Sequence, residues 1–433
     1  MKILRFFWSL AVFCVALAPL AAHAAVPHRV ALADFAHSEK NFAAAIVMDI
    51  NTKEILYEYN ADKPWVPASL TKLVGALVFI ERQPAWDAVV SLTEADEVGG
   101  GRLRVPDGAT MTIQDLMYSS IVGSANNAAT AFGRLSGLGM DGFVAAMNRK
   151  VRDLGCKNSY FEDLSGMDVD NRTTAREMLT IANAAFGRRQ IQKPASTGEY
   201  TFIIRNSGEH KTVYNTNQLL TDADNGLYVT GGKTGFLYES LHNLVYRVRP
   251  EKDDMQRELL IVVLGAPSRA DLFAEAELLA KWSWQTYSWE GSPSSALAEA
   301  AEIPNGTLIK KPDSPAVWYV WKGKKYVLLD GVFLDHYFPG VPIQTVTSEV
   351  AEAFTSARPY TFDNGELLKS PNNPIVYYVE RGMLRPISSE NAFLSMGWNW
   401  SDIVTAPAWL LNTYSQGLAI NTQNTGSVLL TSR

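Results

Sequence analysis

Three short strings lie in order along this chain of 433 residues: Ser69-Leu70-Thr71-Lys72, Ser124-Ala125-Asn126 and Lys233-Thr234-Gly235. Each belongs to a different kind of element. Pro64, Pro67 and Ala68 lead into Ser69, and Leu70, Leu73, Val74, Leu77 and Val78 then recur at helical spacing. Ser69 is therefore expected in the first turn of a buried helix. Ser124 stands in a break, and Asn126-Asn127-Ala128 leads into another helical stretch. Thr230-Gly231-Gly232 runs into Lys233, the pattern of a strand that another backbone must approach closely. A fold in which the three strings act together must bring a helix start, a loop and a glycine-led strand to one point.

The surrounding pattern is that of an α+β domain. Ala43–Asp49 and Ile55–Tyr59 are strand-like, with Asn51-Thr52-Lys53 as a hairpin turn. Thr112-Ile113-Gln114-Asp115 fits a helical capping box, and Thr174–Phe186 has helical spacing. Strands are expected again at Gly226–Gly232, Asn243–Val248 and Leu259–Gly265, then a helix over about Ala270–Trp284. Strands at both ends with helices between imply a sheet that joins N- and C-terminal segments.

Gly291-Ser292-Pro293-Ser294-Ser295 marks a linker, taken as residues 291–304. Beyond it lies an internal repeat: Asn305-Gly306 matches Asn364-Gly365, Tyr319-Val320 matches Tyr378-Val379, and Gly323 matches Gly382. The two aromatic repeats are set at 305–356 and 357–409, each with a short β-hairpin, and a polar tail at 410–433. Trp318, Trp321, Trp398 and Trp400 are expected either inside a small β-rich core or on a glycan- or peptide-binding face.

At the N-terminus, Lys2 and Arg5 precede an apolar run from Phe6 to Leu20, and Ala22-His23-Ala24 offers small residues for cleavage. The run is shorter than the ~20 residues a membrane span needs. Residues 1–24 are therefore expected to be a signal peptide, and 25–290 the main domain of a secreted protein. The mature chain keeps a single cysteine, Cys156, which excludes an internal disulfide and any multi-cysteine zinc site. A formal charge of −6 and the absence of dense Lys/Arg blocks give no reason to expect a nucleic-acid partner.

The strings carry the parts of acyl transfer through a serine. A serine hydroxyl needs a base within hydrogen-bond reach, and positions i and i+3 share a helix face, so Lys72 can reach Ser69. Lysine serves as a base only if its pKa falls from about 10.4, by desolvation or a neighbouring cation, here Lys233. The Ser69 N–H at the helix start and that of Phe236 would together form an oxyanion hole. Ser124 would pass a proton to the leaving group, and Asn126 would hold the substrate amide or Lys72. Gly235 leaves room, while Lys233, Thr234 and Arg269 would bind a carboxylate. Glycine-x-serine-x-glycine, zinc-binding His pairs, phosphate loops and dinucleotide fingerprints do not occur.

With these residues in hand, the chain resembles the low-molecular-mass penicillin-binding proteins of the D-alanyl-D-alanine carboxypeptidase family. The likeness covers about Phe42–Tyr287 and extends to Ala43-Ala44-Ala45-Ile46-Val47-Met48-Asp49, Phe143-Val144-Ala145-Ala146-Met147-Asn148 and Asn215-Thr216-Asn217. It implies a β-lactamase/transpeptidase-like fold, an antiparallel sheet flanked by helices plus a helical lobe. It implies removal of the terminal D-Ala from peptidoglycan stem peptides through an acyl-serine, with β-lactams as covalent inhibitors and no metal or organic cofactor. Ser69, Lys72 and Ser124 match the catalytic residues; Asn126, Lys233, Thr234, Gly235, Phe236 and Arg269 match or adjoin the substrate binders. The setting would be the periplasm or the outer face of the cytoplasmic membrane and wall, which the repeats could contact. Ala125 and Phe236 depart from the carboxypeptidase pattern, and Phe236 looks rather like the sibling D,D-endopeptidases. A β-lactamase, with Glu162 activating water, and a non-catalytic wall-binding module are the remaining alternatives.

Overall fold

The computed structural model describes residues 25–36, 41–222, 224–291 and 294–423, so the expected signal peptide lies outside the described residues. Five strands build the main sheet: β1 (Ala44–Asp49), β2 (Ile55–Tyr59), β3 (Tyr228–Leu237), β4 (Leu241–Arg249) and β5 (Leu259–Ala266). Their spatial order is β2-β1-β5-β4-β3, every pairing antiparallel, so N- and C-terminal segments interleave in one sheet. Asp49 closes the first hairpin by accepting the Asn51 and Thr52 N–H groups on one oxygen, while Trp289 donates to the other.

β1 and β5 are buried along their whole length, because helices cover both faces. Alternation assigns the side chains: Ile46 and Met48 join the helical lobe's core, while Ala45 and Val47 join that beneath the helix Arg269–Thr286. The lobe consists of α1 (Lys72–Glu81), α2 (Ile113–Ile121), α3 (Asn126–Leu135), α4 (Gly139–Asp153), α5 (Ala175–Phe186) and the short α6 (Arg189–Ala195). Residues 72–79 of α1 are all buried, as expected of a helix that is apolar all round and runs through the middle of a core. Thr112 caps α2 through the expected reciprocal bonds with Asp115.

β3 runs on past the expected end at Gly232 to Leu237, because pairing with β4 continues as far as Leu237 opposite Leu241. The glycines read as a strand end lie inside the strand, where they admit close neighbours. The hairpin Glu199–Ile203 with His210–Tyr214 was not anticipated, its strands being short and half polar.

Beyond residue 291 the stretch taken as linker contains a helix, Ser295–Ala301, as its alanine-rich composition favours. Each repeat then forms its own five-stranded sheet with one topology: an antiparallel core flanked by two strands paired in parallel. Leu308, Leu328 and Phe333 of the first pack with Leu368, Val379 and Leu384 of the second in a shared core. Trp318 and Trp398 are half-buried, whereas Trp321 and Trp400 are exposed. Ser415–Gln416 pairs with Met383–Leu384 and Ile420 is fully buried, so the stretch from 410 is tied to the second sheet at these points. Among the described residues no helix is long and apolar enough to cross a membrane.

Gly265 has φ +75°, and a methyl group there would lie 2.5 Å from the Trp65 ring and 2.6 Å from Ala43 Cβ. Gly265→Ala is expected to destabilise the chain by about 1–3 kcal/mol, from backbone strain and overpacking. A denaturant melt with an unchanged midpoint would contradict this.

Candidate active site

Ser69 lies in a single 3₁₀ turn, Ala68–Thr71, that opens into α1 at Lys72. The turn starts from a strained residue: Ala68 has φ +50°, a left-handed conformation that costs a non-glycine residue of order 1–3 kcal/mol. Lys72 Nζ lies 2.7 Å from Ser69 Oγ, 2.7 Å from Asn126 Oδ1 and 2.5 Å from the Ser165 carbonyl oxygen. The side chain is 1% exposed, and burial pushes its pKa down to about 7 while the negative charge of Asp163 pulls the other way.

Asp163 is a site residue that the sequence reading missed. Its carboxylate accepts from the Ser165 hydroxyl, the Asn171 side chain and the Gly166 and Met167 N–H groups. Burial raises its pKa, but these bonds outweigh it and hold the group below the ordinary carboxylate range. The loop so tied presents the Ser165 carbonyl to Lys72. Gly166, at φ +84°, lies against Ala68: a methyl group there would overlap the Ala68 carbonyl and come within 2.9 Å of Ser69 N. The available signal was the run of small residues Ser165-Gly166 after an aspartate, which is weak without a fold.

The other two strings meet from the opposite side. Ser124, also left-handed at φ +56°, accepts a 2.7 Å hydrogen bond from Lys233 Nζ, which also donates to the Thr234 carbonyl. Lys233 is 1% exposed; burial, and next the charge of Lys72, push its pKa well down. The sequence reading assigned Lys72's depression partly to Lys233. Burial is the largest cause for both amines, and their like charges repel one another.

Thr234 Oγ1 donates to Thr216 Oγ1 at 2.6 Å, and Arg269 donates to the Thr216 carbonyl at 2.9 Å. A methyl group on Gly235 would lie 3.2 Å from Ser69 N and 2.7 Å from the Pro67 carbonyl, so the β3 backbone passes directly beside the serine. β3 is an edge strand, with alternate backbone groups facing outward. These residues line one cavity of about 510 Å³, with Ser69, Ser124, Asn126, Thr234, Gly235, Phe236 and Arg269 all on its wall. Phe236 stacks on His242 at 4.4 Å and meets Tyr238 edge-on at 5.5 Å. Burial and the charge of Arg269 push the His242 pKa down. Glu162 is exposed and forms no part of the cavity wall.

A serine hydroxyl on a buried amine, a second amine on a second serine, and a strand edge beside the first define a site built for acyl transfer. The model of the family described as D-alanyl-D-alanine carboxypeptidase matches residues 33–268, and the chain belongs to that family of serine peptidases. A D-alanyl-D-alanine endopeptidase of Pseudomonas aeruginosa is 30% identical over 241 residues, covering 55% of this chain and 76% of the relative. The D-alanyl-D-alanine carboxypeptidase DacA of Escherichia coli is 30% identical over 257 residues, covering 56% of this chain and 60% of that one. A D-alanyl-D-alanine carboxypeptidase structure from Mycobacterium tuberculosis shares the fold: TM-score 0.52 and 21% identity, covering 59% of this chain and 95% of that chain.

Since the Asp163 charge raises the Lys72 pKa, Asp163→Asn is expected to move the Lys72 titration midpoint below about 7 and to lower the melting temperature. An NMR titration of the Lys72 side chain checks the sign; a midpoint that stays or rises would contradict it.

Proposed function

We propose that this protein is a serine-type D-alanyl-D-alanine carboxypeptidase that removes the terminal D-Ala from peptidoglycan stem peptides. The observation that carries the reading is Ser69 Oγ held 2.7 Å from the amine of fully buried Lys72. Neutral Lys72 takes the hydroxyl proton as Ser69 Oγ attacks the carbonyl of the penultimate D-Ala. The developing oxyanion faces the backbone N–H groups of Ser69 and Phe236, in a site where fixed dipoles act at low dielectric. Ser124, relayed to Lys233, delivers a proton to the leaving amine. The terminal carboxylate lies against Thr234, Lys233 and Arg269, and its charge favours a protonated Lys233. Asn126 holds both Lys72 and the substrate amide. Water then cleaves the acyl-serine, releasing the shortened peptide and restoring Ser69.

The same serine is expected to take β-lactams covalently. Glu162 lies outside the cavity wall and the Asp163 carboxylate is engaged by four neighbouring residues. Neither is free to activate a deacylating water, which favours a long-lived penicillin adduct over β-lactamase turnover. Export through the 1–24 segment places the enzyme at the cell envelope, and the exposed Trp321 and Trp400 of the repeats are the surface offered to the wall.

One observation favours a second reading, D,D-endopeptidase. Phe236 is 45% exposed, and with Tyr238 it puts an apolar wall beside the carboxylate end of the cavity. Such a wall suits the longer leaving group of a cross-link, the amine-bearing side chain of the acceptor stem, in place of a free terminal D-Ala.

Ser69→Ala is expected to abolish covalent labelling by a fluorescent penicillin without changing the melting temperature, and to cut product release by roughly 10³-fold or more. Free D-Ala from a soluble pentapeptide supports the carboxypeptidase. Cleavage of cross-linked muropeptides without D-Ala release would replace it with the endopeptidase.

A further inference from the structure

A second cleft, of about 600 Å³, lies on the same face of the main sheet as Lys233 but further along β3. Register places it. Lys233 pairs with Val245, Gly231 with Arg247 and Tyr228 with Arg249, so Lys233, Arg247 and Arg249 project to one side. Thr230, in the cleft, is three residues from Lys233, roughly 10 Å along a strand. Between the two, Phe186 and Ala195 pack over Gly231, at 3.6 and 3.8 Å from where its Cβ would be. The cleft is therefore walled off from the serine.

Its charge is unbalanced. Arg247 and Arg249 both donate through Nη2 to a single oxygen of Glu258, at 2.8 and 3.3 Å. The other Glu258 oxygen is taken by the Thr230 hydroxyl at 2.6 Å. Burial raises the Glu258 pKa, but its bonds to Arg247 and Thr230 and the two arginine charges outweigh this and keep it ionised. Nη1 of Arg247 donates to the Phe186 carbonyl at 3.3 Å and Nη1 of Arg249 to the Lys252 carbonyl at 3.1 Å, while the Nε groups of both are buried with no hydrogen-bond partner. Arg189, at the start of α6, adds a third guanidinium to the wall, and it is exposed. Two arginines thus share one carboxylate and a third lines the same concave wall, where a local field favours anions.

We propose that this cleft binds a dianionic ligand through its carboxylate or phosphate oxygens, independently of the peptidase site. The ligand oxygens lie against Arg189 and Arg249, with Arg247 behind them. The chemistry is that of guanidinium recognition of an oxyanion, and both kinds of oxyanion fit it.

Calorimetric titration of the full chain at low salt with inorganic phosphate and, separately, glutarate tests this. One site is expected, and the tighter of the two probes names the oxyanion. Arg249→Gln is expected to weaken binding about 10-fold, the loss of one charge-assisted contact. Arg189→Ala, an exposed change that spares the fold, is expected to weaken it about 3-fold. Arg269→Ala, which alters the serine cavity, is expected to leave binding unchanged. If Arg249→Gln fails to fold, Arg189→Ala decides. Absence of binding by both probes, or binding lost in Arg269→Ala and kept in Arg189→Ala, would overturn the proposal.

Discussion

The site depends on a lysine amine held in a dry interior by three neutral oxygens. Ser69 Oγ, Asn126 Oδ1 and the Ser165 carbonyl surround Lys72 Nζ, and none of them carries the charge that would stabilise an ammonium there. A buried charge without a partner is costly, so the group gives up its proton instead. The Asp163 carboxylate is engaged by its own loop, and its field moderates the effect rather than cancelling it. The fold thereby turns an ordinary lysine into a base poised near neutrality, beside the one hydroxyl it can serve.

Each acceptor comes from a different part of the chain, so the amine's environment exists only in the folded state. α1 brings Ser69 and Lys72 together, the start of α3 brings Asn126, and the tied loop 163–167 brings Ser165. Two residues, Ala68 and Ser124, are held in left-handed backbone at the two serines. That strain is borne by the packing around it, with Gly166 and Gly235 leaving space for the Ala68–Ser69 backbone. Loops alone would not hold these angles. α1 is buried on every side, and β3 is bonded along its length to β4.

Much of this was legible in the sequence. Ser69 with Lys72 follows from helical spacing, Thr112 with Asp115 from a capping box, and the central sheet from the apolar runs of β1 and β5. What was not legible is what depends on contacts between distant segments. Asp163 acts by binding its own loop, which leaves no spacing signature. Gly232 and Gly235 were read as places of close approach, but that Asn217 and the Ser69 backbone are the neighbours needed the fold. That burial is the largest cause of the lowered pKa of both Lys72 and Lys233 needed the packing to be known. In the repeats the hairpins were visible, but the outer strands that pair in parallel are two or three residues long and carry no period.

The central claim is that Lys72 is the neutral base for Ser69 because burial has lowered its pKa, and the pH dependence of acylation tests it most directly. The rate at which Ser69 is acylated by a penicillin, followed by intact mass between pH 5 and 10, should rise with pH. The account predicts half-maximal acylation near pH 7, since the unprotonated amine is the active form and its folded-state pKa lies at about 7. A rate that is flat across this range, or that rises only near the ordinary lysine pKa of about 10.4, would contradict it.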